Sequence, residues 1–389
     1  MLGFKRPDYG LVDWSLLIAA LLLTSIGIAF IVSATTDFSL TDQWGREARM
    51  QIVWLTVALG ACLFCLHIPT HRWRSWAWSL YLLAGFIQIL MWAAAGSSLV
   101  PTRNGANNWI VVGPFSIQPS EFAKLAVLCA LARFLTTAGV RADRFGHVLV
   151  GLGIAALPAA ALAKEDLGSA LTFIPMAFGL LLVAGMRLRH CAVFAGLLLL
   201  LVASGVFLLA RFQPHSYQWQ RIQAWMAPED HALTTGFQTL RALRSIGSGQ
   251  WIGKGYGEGD QNRLGWLPEK HTDMIFGVIG EEWGFLRTIL VLLAIILFGY
   301  VGLLAALNCR DPFGRLFIAG FTSLIMGQSA INLAVVLGLM PVTGITLPFF
   351  SYGGSSLLAT YAGIGVCLRA TAVRMDQFSS QQLPSLRPI

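Results

Sequence analysis

The chain has 389 residues, 56% of them hydrophobic and only 12% charged, with a mean hydropathy of +0.67 and a formal net charge of +8. Those proportions exclude an ordinary water-soluble protein, in which about a quarter of residues are charged. Runs such as "LLIAALLLTSIGIAFIV" do not alternate as the strands of a membrane barrel would, and they are long enough to cross a ~30 Å hydrocarbon core as helices. The expected fold is all-α: a polytopic helical membrane protein with about ten transmembrane helices.

In chain order the spans are expected at Leu16 to Val32, Ile52 to Leu66, Trp76 to Ala95, Phe122 to Leu135, Val148 to Ala163, Leu167 to Ala184 and Cys191 to Ala210. Phe285 to Leu307, Leu316 to Leu339 and Leu357 to Cys367 follow. No cleavable leader is expected, because Lys5 and Arg6 precede a first span that lacks a persuasive cleavage site. Orientation follows from basic residues. Lys5, Arg6, Arg72, Arg74, Arg141, Arg144, Arg187, Arg189, Arg310, Arg315, Arg369 and Arg374 share one side and outvote Arg46 and Arg49. Both termini are therefore expected in the cytoplasm, with residues 372–389 as a cytoplasmic tail of a single domain spanning 1–389. Topology and anionic lipid account for the positive charge, so no nucleic acid is called for. Cys62 and Cys65, spaced C-x-x-C inside an apolar span, read as small core residues.

Polar clusters gather in the connections expected outside. Between spans three and four, "PSEFAKLA" begins a helix with Glu121 in its first turn and Lys124 one turn on. A cation towards the bilayer interior costs ~3 kcal/mol or more unless it finds a partner or water. Lys124 is thus either the i,i+3 partner of Glu121 or a cation facing an anionic substrate. In "AKEDLGSA", Asp166 can simply cap the following helix. Between spans seven and eight lies the large external loop, 211–271, rich in Gly, Trp and Arg. Its "GFQTLRALRSIG" has helical spacing, which favours an ordered functional cover over an interfacial anchor helix. At its end, "LPEKHTD" places Lys270, His271 and Asp273 at the mouth of an apolar run. Asp273 is either a helix cap or an acid with chemistry to do. Glu281 and Glu282 have no basic neighbour at helical spacing and need a tertiary partner or water. The last external connection, "GLMPVTGITLPFFSYGGSS", is uncharged and irregular, with Ser355 and Ser356 at its end. Such backbone near membrane depth is tolerated when it lines a cavity or is buried in protein. No phosphate-binding or dinucleotide fingerprint is present.

"LPEKHTDMIFGVIGEEWG", "QPSEFAKLA", "EDLGSA", "IGSGQWIGKG" and "GQSAINLAVVLGLMPVTGITLPFFSYGGSS" together resemble, in order and spacing, the motifs of the SEDS family (shape, elongation, division and sporulation). "MPVTGITLP" and the short amino-terminal tail resemble its elongation branch more than its division branch. The resemblance implies a peptidoglycan glycosyltransferase of the bacterial cytoplasmic membrane that polymerises lipid II at the external face. It would release undecaprenyl diphosphate and work with a class B penicillin-binding protein and other elongation-complex membrane proteins. Asp273 matches the family's catalytic aspartate. The implied substrate-binding set is Lys124, Glu121, Arg103, Trp109, Asp166, Lys270, His271, Ser355 and Ser356, with Lys124 the first candidate for the diphosphate and Arg103 and Lys270 behind it. A divalent cation, Mg or Mn, is an open alternative there, and no other cofactor is implied. The chain departs from the family pattern at Asn108, Glu165, Arg241 and Met274. A lipid flippase and a non-catalytic scaffold for a penicillin-binding protein are the rival readings.

Overall fold

The computed structural model describes residues 12–36, 44–102, 107–113, 115–163, 165–212, 216–232, 236–264 and 266–372. Arg103 and the tail from 373 onwards lie outside them. In order, the elements are α1 (Ser15–Thr35), α2 (Arg46–His67), α3 (Thr70–Ala93), β1 (Ile110–Val112), β2 (Phe115–Ile117), α4 (Pro119–Leu135), α5 (Phe145–Ala163), α6 (Leu167–Val183) and α7 (Leu188–Phe212). Then come α8 (Tyr217–Met226), α9 (Phe237–Ser248), α10 (Asp260–Arg263), α11 (Ile275–Asn308), α12 (Pro312–Val336) and α13 (Gly354–Thr371). The fold is all-α apart from the β1–β2 hairpin, which pairs Ile110 with Ile117. Seven helices, α1, α2, α3, α5, α7, α11 and α12, are long and apolar enough to cross a membrane. Helices α4, α6 and α13, shorter or more polar, fall at the remaining expected spans.

The helices sort by what surrounds them. Helix α4 is buried on every side from Ala126 to Ala132, and α12 and α13 are similarly enclosed, so these three form the centre. Helix α13 lies almost backbone to backbone with α2: a Cβ on Gly365 would press into the Cys62 carbonyl and come within 2.9 Å of the Cys65 Cβ. Small residues permit such an approach, which is how helices associate where lipid removes the hydrophobic drive between them. Cys62 and Cys65 are both buried at this contact, as small core residues. The outer helices do the reverse. Phe64, Leu82, Phe86, Leu199 and Phe207 are exposed, and only His190 and Phe194 of α7 are buried.

Two elements position the polar end. Helix α9 forms where the spacing predicts a helix, and it buries Thr239, Ala242 and Ser245 while packing on α11 and α12. It is a cover docked on the bundle. Helix α11 differs from expectation because it starts ten residues before Phe285. It breaks at Gly284, whose φ of 68° and ψ of −178° are non-helical. The acids Glu281 and Glu282 hid this early start, since they fall within two turns that belong to the helix yet precede the apolar run.

Candidate active site

Asp273 stands two residues before α11. The N-cap position is Met274, so the capping role left open by the sequence does not apply. Its carboxylate is buried, 7% exposed; among the described residues its one side-chain donor is Thr272 Oγ1 at 3.3 Å, a hydroxyl that lies nearer to Glu269 Oε2, at 2.8 Å. Burial, reinforced by the neighbouring Glu269 charge, pushes this carboxyl up to about 6, against the weaker opposing pull of hydrogen bonds and of Arg221 in α8. The backbone carbonyl of Asp273 accepts from Asn332 Nδ2 at 2.8 Å, and the same amide donates to the Ile345 carbonyl at 2.7 Å. Asn332 therefore ties the head of α11 to segment 337–353. Two further bonds repeat the link: Tyr352 N donates to the His271 carbonyl at 2.7 Å, and Ser351 Oγ to the Thr272 carbonyl at 2.6 Å. The His271 ring lies 5.9 Å from that of Tyr352, and Lys270 is half-buried beside it.

A second polar group is built on α4. Lys124 is 2% exposed; its Nζ is 2.8 Å from Glu121 Oε1 and donates at 3.0 Å to Gln328 Oε1. The ion pair is present, and a cavity of about 10 Å³, room for one water, adjoins it between Glu121, Phe321, Ile325 and Thr360. Gln328 Nε2 donates to the Thr346 carbonyl at 3.0 Å, and Thr346 Oγ1 lies 3.5 Å from Ser356 Oγ. Ser355 Oγ accepts from Gln118 N at 3.0 Å. Asp166 caps α6 through Ser169 N at 2.8 Å and also accepts from Gln118 Nε2 at 2.8 Å. Burial raises its carboxyl above the usual range. Trp109 is half-buried next to Asn108, whose Nδ2 donates to the Glu165 carbonyl at 3.0 Å. Two of the departures from the family pattern thus contact one another. A third, Arg241, lies over the rings of Phe237 and Trp266 at 5.0 and 5.1 Å.

The expected residues therefore fall into two groups, one around Asp273 and one around Lys124, and segment 337–353 bonds to both. Sequence reading missed the connectors Gln118, Gln328 and Asn332. Gln328 and Asn332 had a legible signal, since two amides four residues apart share one face of an apolar helix. The tertiary partners that Glu281 and Glu282 required are Lys254, at 2.7 Å, and Ser33, at 2.5 Å. Among the described residues no three His, Cys, Asp or Glu side chains converge to hold a metal ion.

A polytopic helical bundle with an under-solvated acid at the head of a spanning helix is a membrane protein built for chemistry or transport at its margin. Which of these it is follows from its relatives. The FtsW, RodA and SpoVE family of cell cycle proteins matches residues 13–375, and the chain belongs to that family, the SEDS proteins. It is 36% identical to stage V sporulation protein E of Bacillus subtilis, over 92% of this chain and 96% of that one. It is 32% identical to the probable peptidoglycan glycosyltransferase FtsW of Geobacter sp. (strain M18), again over 92% and 96%. A chain solved in a study of structural coordination of polymerization and crosslinking by a peptidoglycan synthase complex superposes with a TM-score of 0.75. That chain is 30% identical, over 92% of this chain and 97% of its own length.

Proposed function

We propose that this chain polymerises lipid II into glycan strands at the external face of the bacterial cytoplasmic membrane, in the manner of the RodA branch that serves cell elongation. Its family and relatives named for the activity make it an enzyme of peptidoglycan glycosyl transfer. "MPVTGITLP" supports the elongation branch. The observation that carries the reaction is the state of Asp273: buried, accepting one side-chain hydrogen bond, raised to about 6, and not used as a cap. A base of that strength accepts the proton of the 4-hydroxyl of the acceptor N-acetylglucosamine as it attacks the anomeric carbon of the donor N-acetylmuramic acid. The bond to undecaprenyl diphosphate breaks and the diphosphate leaves. General-base help of this kind contributes roughly 10²- to 10⁴-fold.

Lys270, His271 and Trp109 with Lys124, Glu121, Asp166, Ser355 and Ser356 form the proposed walls for the lipid head. Lys124 answers the diphosphate by giving up its Gln328 contact. A class B penicillin-binding protein is the proposed partner, because the similar solved chain belongs to a complex that couples polymerization to crosslinking. The proposed topology is one domain, 1–389, with cytoplasmic termini and an external 211–271 loop, on the distribution of basic residues. A cysteine at the exposed Glu258 should react with an impermeant maleimide added to intact cells; reaction only after permeabilisation inverts the topology.

The test of function is polymerisation of purified lipid II by the full chain with its transpeptidase, comparing the parent with Asp273→Asn. Loss of strands at least about 10²-fold, with co-purification retained, supports the reading. Transfer of lipid across a bilayer without polymerisation by either protein would establish the flippase instead.

A further inference from the structure

Helix α11 would run unbroken from Ile275 to Asn308 but for Gly284. In a continuous helix the N–H groups of Phe285 and Leu286 would bond to the carbonyls of Glu281 and Glu282. Here Phe285 N donates to the Gln250 carbonyl at 2.8 Å, and Leu286 N to the Trp251 carbonyl at 3.2 Å. The freed carbonyls of Glu281 and Glu282 accept instead from Lys254 N and Gly255 N, both at 3.1 Å. Segment 250–255 is spliced into the helix at its break, so both of these lost bonds are replaced on each side. Gly253, with φ of 83°, and Gly284 face each other so closely that a Cβ on either would strike the backbone of the other strand.

The same segment supplies a side-chain lock. Glu281 is fully buried, and its carboxylate accepts from Lys254 Nζ at 2.7 Å, Ser245 Oγ at 3.1 Å, Ser248 Oγ at 3.1 Å and Gln261 N at 3.1 Å. Those donors come from α9, the spliced segment and α10. Lys254 also holds Asp260 at 2.9 Å. The cover and residues 275–283 are thereby joined into one body, separated from the spanning part of α11 by the Gly284 break. Asp273 stands at the other end of that body, where Asn332 holds its carbonyl, eight residues from Glu281, or about 12 Å along a helix.

We propose that Lys254 and Glu281 are positioning residues for Asp273: their ion pair, with the backbone splice at Gly284, fixes the orientation of the short segment that presents the Asp273 carboxylate to substrate. This rests on the reading of Asp273 as the base. Neither residue touches the reacting atoms, so their effect travels through placement alone. Removing one partner of this pair costs stability, so rates are compared at equal folded content; beyond that cost, a misplacement of about 1 Å at a reacting centre can lower the rate about 10²-fold.

The experiment measures kcat and KM for lipid II polymerisation by the full chain with its transpeptidase. The variants are Lys254→Met, Lys254→Arg, Glu281→Gln, Asp273→Asn and the double change Asp273→Asn with Lys254→Met. Lys254→Met is expected to lower kcat by about 10- to 100-fold with KM within about twofold, and Lys254→Arg to recover most of it. In the Asp273→Asn background, Lys254→Met should cost nothing further, because placing an absent base has no value. Losses that multiply in the double variant, or an unchanged kcat in both Lys254→Met and Glu281→Gln, overturn the proposal. If Asp273→Asn is inactive while those two keep the parent kcat, positioning alone fails. If Asp273→Asn itself turns over at the parent rate, the reading of Asp273 fails and this inference with it.

Discussion

Asp273 and Glu281 lie eight residues apart on one short stretch, both buried, and their surroundings are opposite. Glu281 accepts from a lysine, two serines and a backbone N–H; among the described residues the one side-chain donor to Asp273 is Thr272. A buried carboxylate supplied with donors serves the fold. One left short of donors is raised in pKa and kept able to take a proton, which costs stability and suits a base. On the proposed reading, the two acids divide structure and chemistry between them.

Stability should separate them most sharply. Removing one charge of a buried pair leaves the other uncompensated, so Glu281→Gln is expected to lower stability by about 2 to 4 kcal/mol, moderated by the partial exposure of Lys254. Asp273→Asn should act in the other direction. Its folded carboxyl is raised from 3.8 to about 6, so the folded chain binds the extra proton between those values and stability falls as pH rises through that window. Above it the buried charge costs up to about 3 kcal/mol, which Asn removes. Unfolding of the purified proteins at pH 7.5 and pH 5 checks both signs, and the advantage of Asn should shrink at the lower pH. If both substitutions destabilise alike, the contrast between the acids is wrong.

A smaller effect sharpens the same contrast. The base must be ionised to work, so kcat/KM should be flat above pH 7 and fall about tenfold per unit well below about pH 6, the value for Asp273 in the free enzyme. Glu269 and Arg221 are the charges that bear on this carboxylate, from its own loop and from α8. Glu269→Gln removes the like charge and should move the limb down in pH. A limb that stays in place would detach the profile from Asp273.

Much of this architecture was legible because lipid imposes a simple rule on composition. Helices occupy all ten expected spans, and the spacing of "GFQTLRALRSIG" marked α9. The start of α11 was legible only as the cap reading of Asp273, because Glu281 and Glu282 part it from the apolar run; the break at Gly284, with a foreign segment spliced into it, leaves no periodic trace. Asp273 was singled out by the motif around it, but only the placement of Met274 at the N-cap removed the capping alternative. The requirement that Glu281 and Glu282 find distant partners followed from the sequence. Which partners they find did not, because Lys254 and Ser33 are brought in by tertiary packing, 27 and 249 residues away. Gln328 and Asn332 were visible as amides within an apolar run. Their role as struts to segment 337–353 depends on the course of an irregular loop that no periodicity describes.

The central claim is that Asp273 is the base of a glycan polymerase. Its most direct test is the rate of strand formation from saturating lipid II by parent and Asp273→Asn chains of equal folded content, each bound to the transpeptidase at pH 7.5. The account predicts a loss of about 10²-fold or more in an Asn variant that is at least as stable as the parent. A stable Asn variant polymerising at the parent rate would contradict it.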